Sequence, residues 1–154
     1  MTAPRRQPYA GIVSRLAGLA IDAGLLALAA SLVVTGVPSV WRTLEGSTPG
    51  WLDATTGLIA ALLPVVYFAA CWWLTGQTVG SLLLGTVVRR PDGRHLGPGR
   101  ALLRAAVGLA FPPVWLLGML GVLTDDQRRA WHDRVFGTVV RYAPRRRQPR
   151  LPTP

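Results

Sequence analysis

Lysine is absent from this 154-residue chain, and all 17 basic residues are arginine. Acids are scarce as well: seven stand against those 17, leaving a formal charge of +10. The single cysteine, Cys71, excludes a disulfide framework. Set in an apolar run, it reads as a small packing residue. The two histidines, His95 and His132, give no Cys/His nucleophile arrangement. His132-Asp133 has the form of a metal phosphohydrolase pair without the other ligands. Asp125-Asp126 lacks a third acid at useful spacing, and no glycine-rich phosphate loop follows a strand. These absences argue against an enzyme, a metal centre and a bound cofactor.

Long apolar runs are what the chain has instead. Half of its residues are hydrophobic, and they cluster rather than alternate, which is the pattern of an integral membrane protein. A charge of +10 would suit nucleic acid, but the arginines flank the apolar runs, where the positive-inside bias puts them. The expected partner is therefore the lipid bilayer and not a nucleic acid. The length allows one domain. It reads as a basic arm (1–10), a membrane domain (11–142) and a basic, proline-rich tail (143–154).

The first run, Ile12 to Val37, is long enough to cross a hydrocarbon core roughly 30 Å thick. Arg15 stands at its entrance and Asp22 inside it. An acid within a spanning helix is costly, and it marks a candidate functional site facing protein or water. Ala17, Ala20, Gly24, Ala27 and Ser31 give the helix a small-residue face for close packing. Arg5-Arg6 and Ala27-Leu28-Ala29 imitate a secretion signal, but Asp22 and the length of the run predict an uncleaved helix. Pro38 is expected to end it, with a loop over 38–51. A second span is predicted over Leu52–Leu74, kinked at Pro64. Trp41 and Trp51 at one end, and Trp72 and Trp73 at the other, read as interfacial anchors.

Residues 75–85 are too short to span and suit a small amphipathic helix on the membrane surface. Thr86–Arg90 is β-branched and strand-like, and Pro91-Asp92-Gly93 is a turn signal. A third apolar run, Arg100–Leu123, is broken by Pro112-Pro113 into halves of about eleven residues, each too short to cross alone. Thr124-Asp125-Asp126-Gln127 has the form of a capping box opening a helix over Gln127–Arg134. Gly137-Thr138-Val139-Val140-Arg141 repeats Gly85-Thr86-Val87-Val88-Arg89 residue for residue. Two lone strands would leave their backbone groups unpaired, so they are expected to pair with each other. Paired strands share one side of the membrane, so the third run must leave and return. This predicts an all-α membrane protein with two full transmembrane helices, a re-entrant third segment and a small cytoplasmic β element.

Arg15-Leu16 with Ile21-Asp22, the loop Gly76-Gln77-Thr78-Val79-Gly80, Gly99-Arg100-Ala101-Leu102-Leu103-Arg104, and His132-Asp133-Arg134 with Gly137-Thr138-Val139-Val140 together resemble the RDD family over residues 9–142. That family is named for one arginine and two aspartates. The resemblance assigns these to Arg15, Asp22 and Asp133. It implies a small integral membrane protein with a suspected role in transport, some members being linked to sodium/proton exchange.

Arg15 and Asp22 are seven residues apart, about 10 Å along a helix axis, and helical side chains lean toward the N-terminus, so Arg15 leans away. Asp22 is therefore expected to pair with Arg100 or Arg104, and Arg15 with Asp133. Those pairs either clamp the bundle or leave Asp22 to bind a proton or cation. Arg145, Arg146 and Arg147 are candidates for anionic lipid, at about 1 kcal/mol each near a charged surface. Two roles follow. One is a small transporter or transporter component, homo-oligomeric or joined to a partner membrane protein because two spans enclose no pathway. The other is a membrane scaffold or regulatory subunit. Either would sit in the cell membrane with several passes.

The hairpin topology puts 16 of the 17 arginines on one side, with only Arg42 opposite. Both termini should then be cytoplasmic. A C-terminal reporter active only outside the cytoplasm should stay silent; strong activity would replace the hairpin with a third full span.

Overall fold

A computed structural model describes residues 9–143; Arg145, Arg146 and Arg147 lie outside the described residues. Two helical runs, Ile12–Glu45 and Gly50–Leu74, are long and apolar enough to cross a membrane. The first comprises α1 (Ile12–Ser31), one π-helical stretch (Leu32–Gly36) and α2 (Val37–Glu45). Pro38 does not end the helix, contrary to the sequence reading. The wider π turn just before it re-spaces the hydrogen-bond ladder, and the helix resumes with Pro38 in the first turn of α2, where no N–H is needed. Thr35, Ser39 and Thr43 each donate to the carbonyl four residues back, at 2.7, 2.6 and 2.9 Å. Gly46, at φ 80°, closes α2 in the left-handed conformation. The expected 38–51 loop thus shrinks to the few residues before α3 (Gly50–Leu74), which runs unbroken through Pro64.

The tryptophans divide differently from the expected belts. Trp41 meets Trp51 edge-on, with ring centroids 5.6 Å apart, and Trp73 faces outward. Trp72 is buried in the core beside Phe68, with Ala101 and Ala105 in the same cluster. A short helix, α4 (Val79–Leu83), is opened by Thr78 and Ser81: the Thr78 hydroxyl accepts from the Ser81 N–H at 3.2 Å, and the Ser81 hydroxyl accepts from the Thr78 N–H at 2.6 Å. This helix lies directly on α1. A Cβ on Gly80 would fall 2.0 Å from the Gly18 carbonyl oxygen, so no other residue fits there.

Strand β1 (Thr86–Arg89) pairs antiparallel with β2 (Val139–Tyr142), with Val88 opposite Val140 and Thr86 opposite Tyr142. Each strand differs by about one residue from the range read in the sequence. Tyr9 bridges Arg141 on the outer side of β2, and the Ala10 N–H donates to the Val140 carbonyl at 3.0 Å. The entrance to α1 is therefore fixed to the sheet.

Between the strands, α5 (Pro98–Ala110) and a second apolar arm, α6 (Pro112–Gly118) with a 3-10 turn (Met119–Leu123), meet at a bend of 108°. Phe111 leaves the helical region at the bend because a residue before proline disfavours it. The whole segment starts and ends on the same two-stranded sheet, so it leaves and returns.

The expected capping box at Thr124 does not form. The Thr124 hydroxyl donates back to the Gly121 carbonyl at 3.3 Å. Asp125 instead accepts from the Arg129 N–H at 2.9 Å and binds the guanidinium groups of Arg129 and Arg134. These bonds, led by the Arg129 side chain, hold its carboxyl at about 2. Arg128 takes φ 48° in this turn. The helix, α7, spans only Trp131–Val135, and its start is closed by Asp133, which accepts from the Ala130 N–H at 3.1 Å.

The strand register is open to a direct test. In a Cys71→Ser background, cysteines at 88 and 140 should crosslink rapidly with a short reagent. Cysteines at 87 and 140, on opposite faces of the sheet, should not. Equal rates for both pairs would remove the register.

Candidate functional site

Arg15, in the first turn of α1, is buried and spends its guanidinium on three acceptors. It donates to the Ala10 carbonyl at 3.3 Å and to the Arg128 carbonyl at 2.6 Å, and it forms an ion pair with Asp133. Arg104 on α5 reaches the same carboxylate at 2.7 Å. It also donates to the Thr138 hydroxyl at 2.6 Å, which in turn donates to Asp133 at 3.1 Å. Asp133, with 0% exposure, thus ties together α1, α5, α7 and the start of β2. Burial works against its charged form, but Arg104 and Arg15 outweigh that and hold the carboxyl well below the usual carboxylate range.

A flat stack lies beside this pair of arginines. His132 lies on Trp115 with centroids 3.6 Å apart, and Trp115 runs nearly parallel to Trp72 at 6.4 Å. The Arg104 guanidinium carbon sits 4.8 Å from the Trp72 ring and 5.1 Å from the Trp115 ring, within cation–π range. Burial, with the nearby Arg104 charge, lowers the His132 pKa to about 3. The imidazole is therefore neutral at physiological pH.

Asp22 does not pair with Arg100 or Arg104, which corrects the sequence expectation. Its Oδ1 accepts from the Tyr67 hydroxyl at 2.7 Å and the Gly80 N–H at 2.8 Å; its Oδ2 accepts from the Thr78 hydroxyl at 2.5 Å. The physical reason is that α3 and α4 cover this face of α1 with neutral donors, while Asp133 takes Arg104. Arg100, one turn earlier on α5, is exposed and lies beside Gly137. Tyr67, Trp72 and Trp115 had no role in the sequence reading beyond apolar packing or anchoring. Tyr67 carries a hydroxyl deep in an otherwise apolar stretch of α3, a signal that a buried acceptor must stand nearby. Thr78 and Gly80 belong to the Gly76–Gly80 loop already singled out.

Both polar groups open onto one cavity of about 270 Å³. Asp22 and Thr78 form one polar patch of its wall; Arg15, Arg104 and His132 form another. Phe68, Trp72, Leu109, Trp115 and Met119 supply apolar wall. Among the described residues no cluster of three or more His, Cys, Asp or Glu could hold a metal ion.

Two long apolar helices, a bent helix pair returning to a small sheet, and a buried arginine–aspartate clamp beside a separate membrane aspartate define a small integral membrane protein. The model of the RDD family matches residues 9–137, most of the chain, and the protein belongs to that family. No curated protein and no solved structure matches it.

The two acids should respond differently to loss of charge. Asp133→Asn leaves two buried arginines without their anion and should cost roughly 3–5 kcal/mol, seen as a sharp fall in Tm in mild detergent. pH should reveal His132. Its folded pKa lies below the unfolded value near 6.5, so the unfolded chain takes the proton first. That stability is complete above pH 6.5 and is lost as pH falls toward 3, at up to about 1.4 kcal/mol per unit. The Asp133 contribution runs the same way but is lost only below about pH 4. Between pH 6.5 and 4.5, His132→Phe should therefore flatten the decline. An unchanged slope would mean that the imidazole is not held neutral.

Proposed function

We propose that this protein serves membrane transport, as a small transporter or a component of one, with Asp22 as the group that takes up a proton or small cation. The observation that carries the proposal is the bonding of Asp22. It is 2% exposed within a run able to cross a membrane, and its hydrogen bonds come from two hydroxyls and one amide, without a cation. Neutral donors orient and stabilise a carboxylate without cancelling its charge. That charge is left for an exchangeable partner, and Asp22 faces the cavity through which one would arrive. Asp133 has the opposite setting, neutralised by two fixed arginines, and its role here is to hold the bundle together. The family resemblance, with its suspected role in transport, supports the same reading.

The proposed role is non-enzymatic. Two long helices and one bent pair enclose no pathway alone, so the proposal includes a homo-oligomer or a partner membrane protein. It puts the protein in the cell membrane with both termini cytoplasmic; the arginine asymmetry and the β1–β2 pairing support this. Anionic lipid on that side would balance the basic flanks.

Reconstituted protein in liposomes carrying a sodium or proton gradient provides the test. Wild type should dissipate the gradient. Asp22→Asn should keep a Tm near wild type, because the amide can still accept at its oxygen, while flux falls by about tenfold or more. Equal flux in the two proteins would end the proposal. No flux in either, with a partner that co-purifies in fixed ratio, would instead establish a scaffold or regulatory subunit.

A further inference from the structure

Residues 76–86, with α4 at their centre, form a strap over the cavity whose base and tip are fastened differently. The base belongs to the sheet. The Val88 N–H donates to the Gly76 carbonyl at 2.8 Å, and the Ala143 N–H donates to the Gly85 carbonyl at 2.7 Å. Gly76, at φ 75°, and Gly85, at φ 64°, make the turns at the two ends of the strap. The tip is held by one carboxylate on another helix. Asp22 on α1 accepts from the Thr78 hydroxyl at 2.5 Å and from the Gly80 N–H at 2.8 Å. Tyr67 on α3 crosses the same junction: its hydroxyl donates to Asp22 at 2.7 Å and accepts from the Val79 N–H at 2.9 Å.

Apolar packing adds little to this fastening. Gly80 is the buried residue of α4, and it meets Gly18 backbone against backbone. Val79, Leu82 and Leu83 are exposed on the outer side. An element with few buried apolar contacts belongs to the low-stability end of a structure and opens first. The bonds to Asp22 therefore decide whether α4 stays on α1. Hydrogen bonds to an ionised acceptor are roughly twice as strong as neutral ones, so the charge of Asp22 sets their strength. No ionisable side chain on α4 shares that task. Tyr67 and Cys71 on α3 are titratable groups close to Asp22, and Arg15 and Arg104 line the same cavity. Thr78, Ser81 and Thr86 are part of the cavity wall, so a lifted tip leaves that wall incomplete.

We propose that α4 is a gate latched by the charge of Asp22. Uptake of a proton or small cation at Asp22 weakens the latch, the tip swings away from α1 on its fixed base, and the cavity opens on the side of the sheet. A proton turns one acceptor oxygen of the carboxyl into a donor. A cation draws on the lone pairs that Thr78, Tyr67 and Gly80 now use. Either way the charge-assisted bonds are lost. Emptying the site restores the charge and recloses the strap. This deepens the transport reading and rests on it for the trigger, since the event that loads Asp22 is the event that opens the way to it.

The full chain in phosphatidylcholine nanodiscs provides the test. In a Cys71→Ser background, Ala105→Cys places a thiol on the cavity wall at a position 1% exposed in the closed protein. A charged methanethiosulfonate, kept out of hydrocarbon, probes it from the water. Asp22→Asn stands for the neutral, loaded state. Tyr67→Phe removes part of the latch while the Asp22 charge stays. Each should speed thiol modification by about tenfold or more. Hydrogen exchange at the amides of residues 82–84 should rise in parallel, while β1 keeps its wild-type rate because the base is untouched. An unchanged thiol rate in either variant would overturn the gate, and so would equal acceleration of exchange in α4 and β1. None of these measurements uses an ion gradient. Opening in both variants with no flux in wild type would end the transport reading and leave the latch. Flux that depends on Asp22 without thiol exposure would end the latch and leave the transport reading.

Discussion

One carboxylate organises this protein. Asp133 accepts from Arg15 on α1 and Arg104 on α5, and it closes the start of α7 through the Ala130 N–H. Membrane helices gain little from burying apolar surface against one another, because lipid is as apolar as leucine. A buried polar junction can therefore do more to fix their arrangement than the helix faces do. Arg15 extends the junction to the carbonyls of Ala10 and Arg128, which sets how α1 leaves the sheet and how the 124–130 turn folds. The Thr138 hydroxyl, between Arg104 and Asp133, ties the junction to the first residues of β2. If that one side chain is removed, two arginines face each other in a space with no anion.

The two buried aspartates show how environment separates roles for one residue type. Asp133 is answered by fixed positive charge. Asp22 is answered by oriented dipoles: a phenol, a threonine hydroxyl and a backbone amide made accessible by the glycine contact between α4 and α1. The first arrangement locks a charge in place. The second holds a carboxylate by hydrogen bonds alone, with no cation among its partners. Asp22 and the two arginines that hold Asp133 line the same cavity, so its wall is polar in two patches and apolar elsewhere.

Much of this architecture could be read from the residues. Long apolar runs gave the two helices, Pro112-Pro113 gave the bend, and the matched β-branched segments gave the strand pair and its return topology. The lean of helical side chains took Asp22 away from Arg15, and Asp133, chosen as the anion in its place, is its partner. The partner of Asp22 did not, because charge was matched to charge while the real donors were neutral: the Gly80 amide is invisible as a residue type, and Tyr67 looked like one more apolar residue of α3. Pro38 misled because helix-breaking is a rule for α geometry, and a π turn evades it. Thr124 misled because Asp125 had better partners in Arg129 and Arg134 than a helix end offered. The cavity was not legible at all, since it depends on how α1, α3, α5 and α6 sit together rather than on any one segment.

The pairing of β1 with β2 has a consequence for biosynthesis. The strands are separated by the whole bent segment, and Arg15 is 118 positions from the aspartate that binds it. Chains are made from the N-terminus at roughly 5–20 residues per second, so α1 emerges and enters the bilayer well before Asp133 or β2 exists. Throughout that interval Arg15 lacks Asp133, whereas Asp22 gains its donors as soon as α3 and α4 follow. Closure of the sheet and the clamp therefore comes after α1, α3 and the bent segment have been made. A ribosome that stops before Asp133 leaves an inserted protein in which neither the arginine clamp nor the sheet can close.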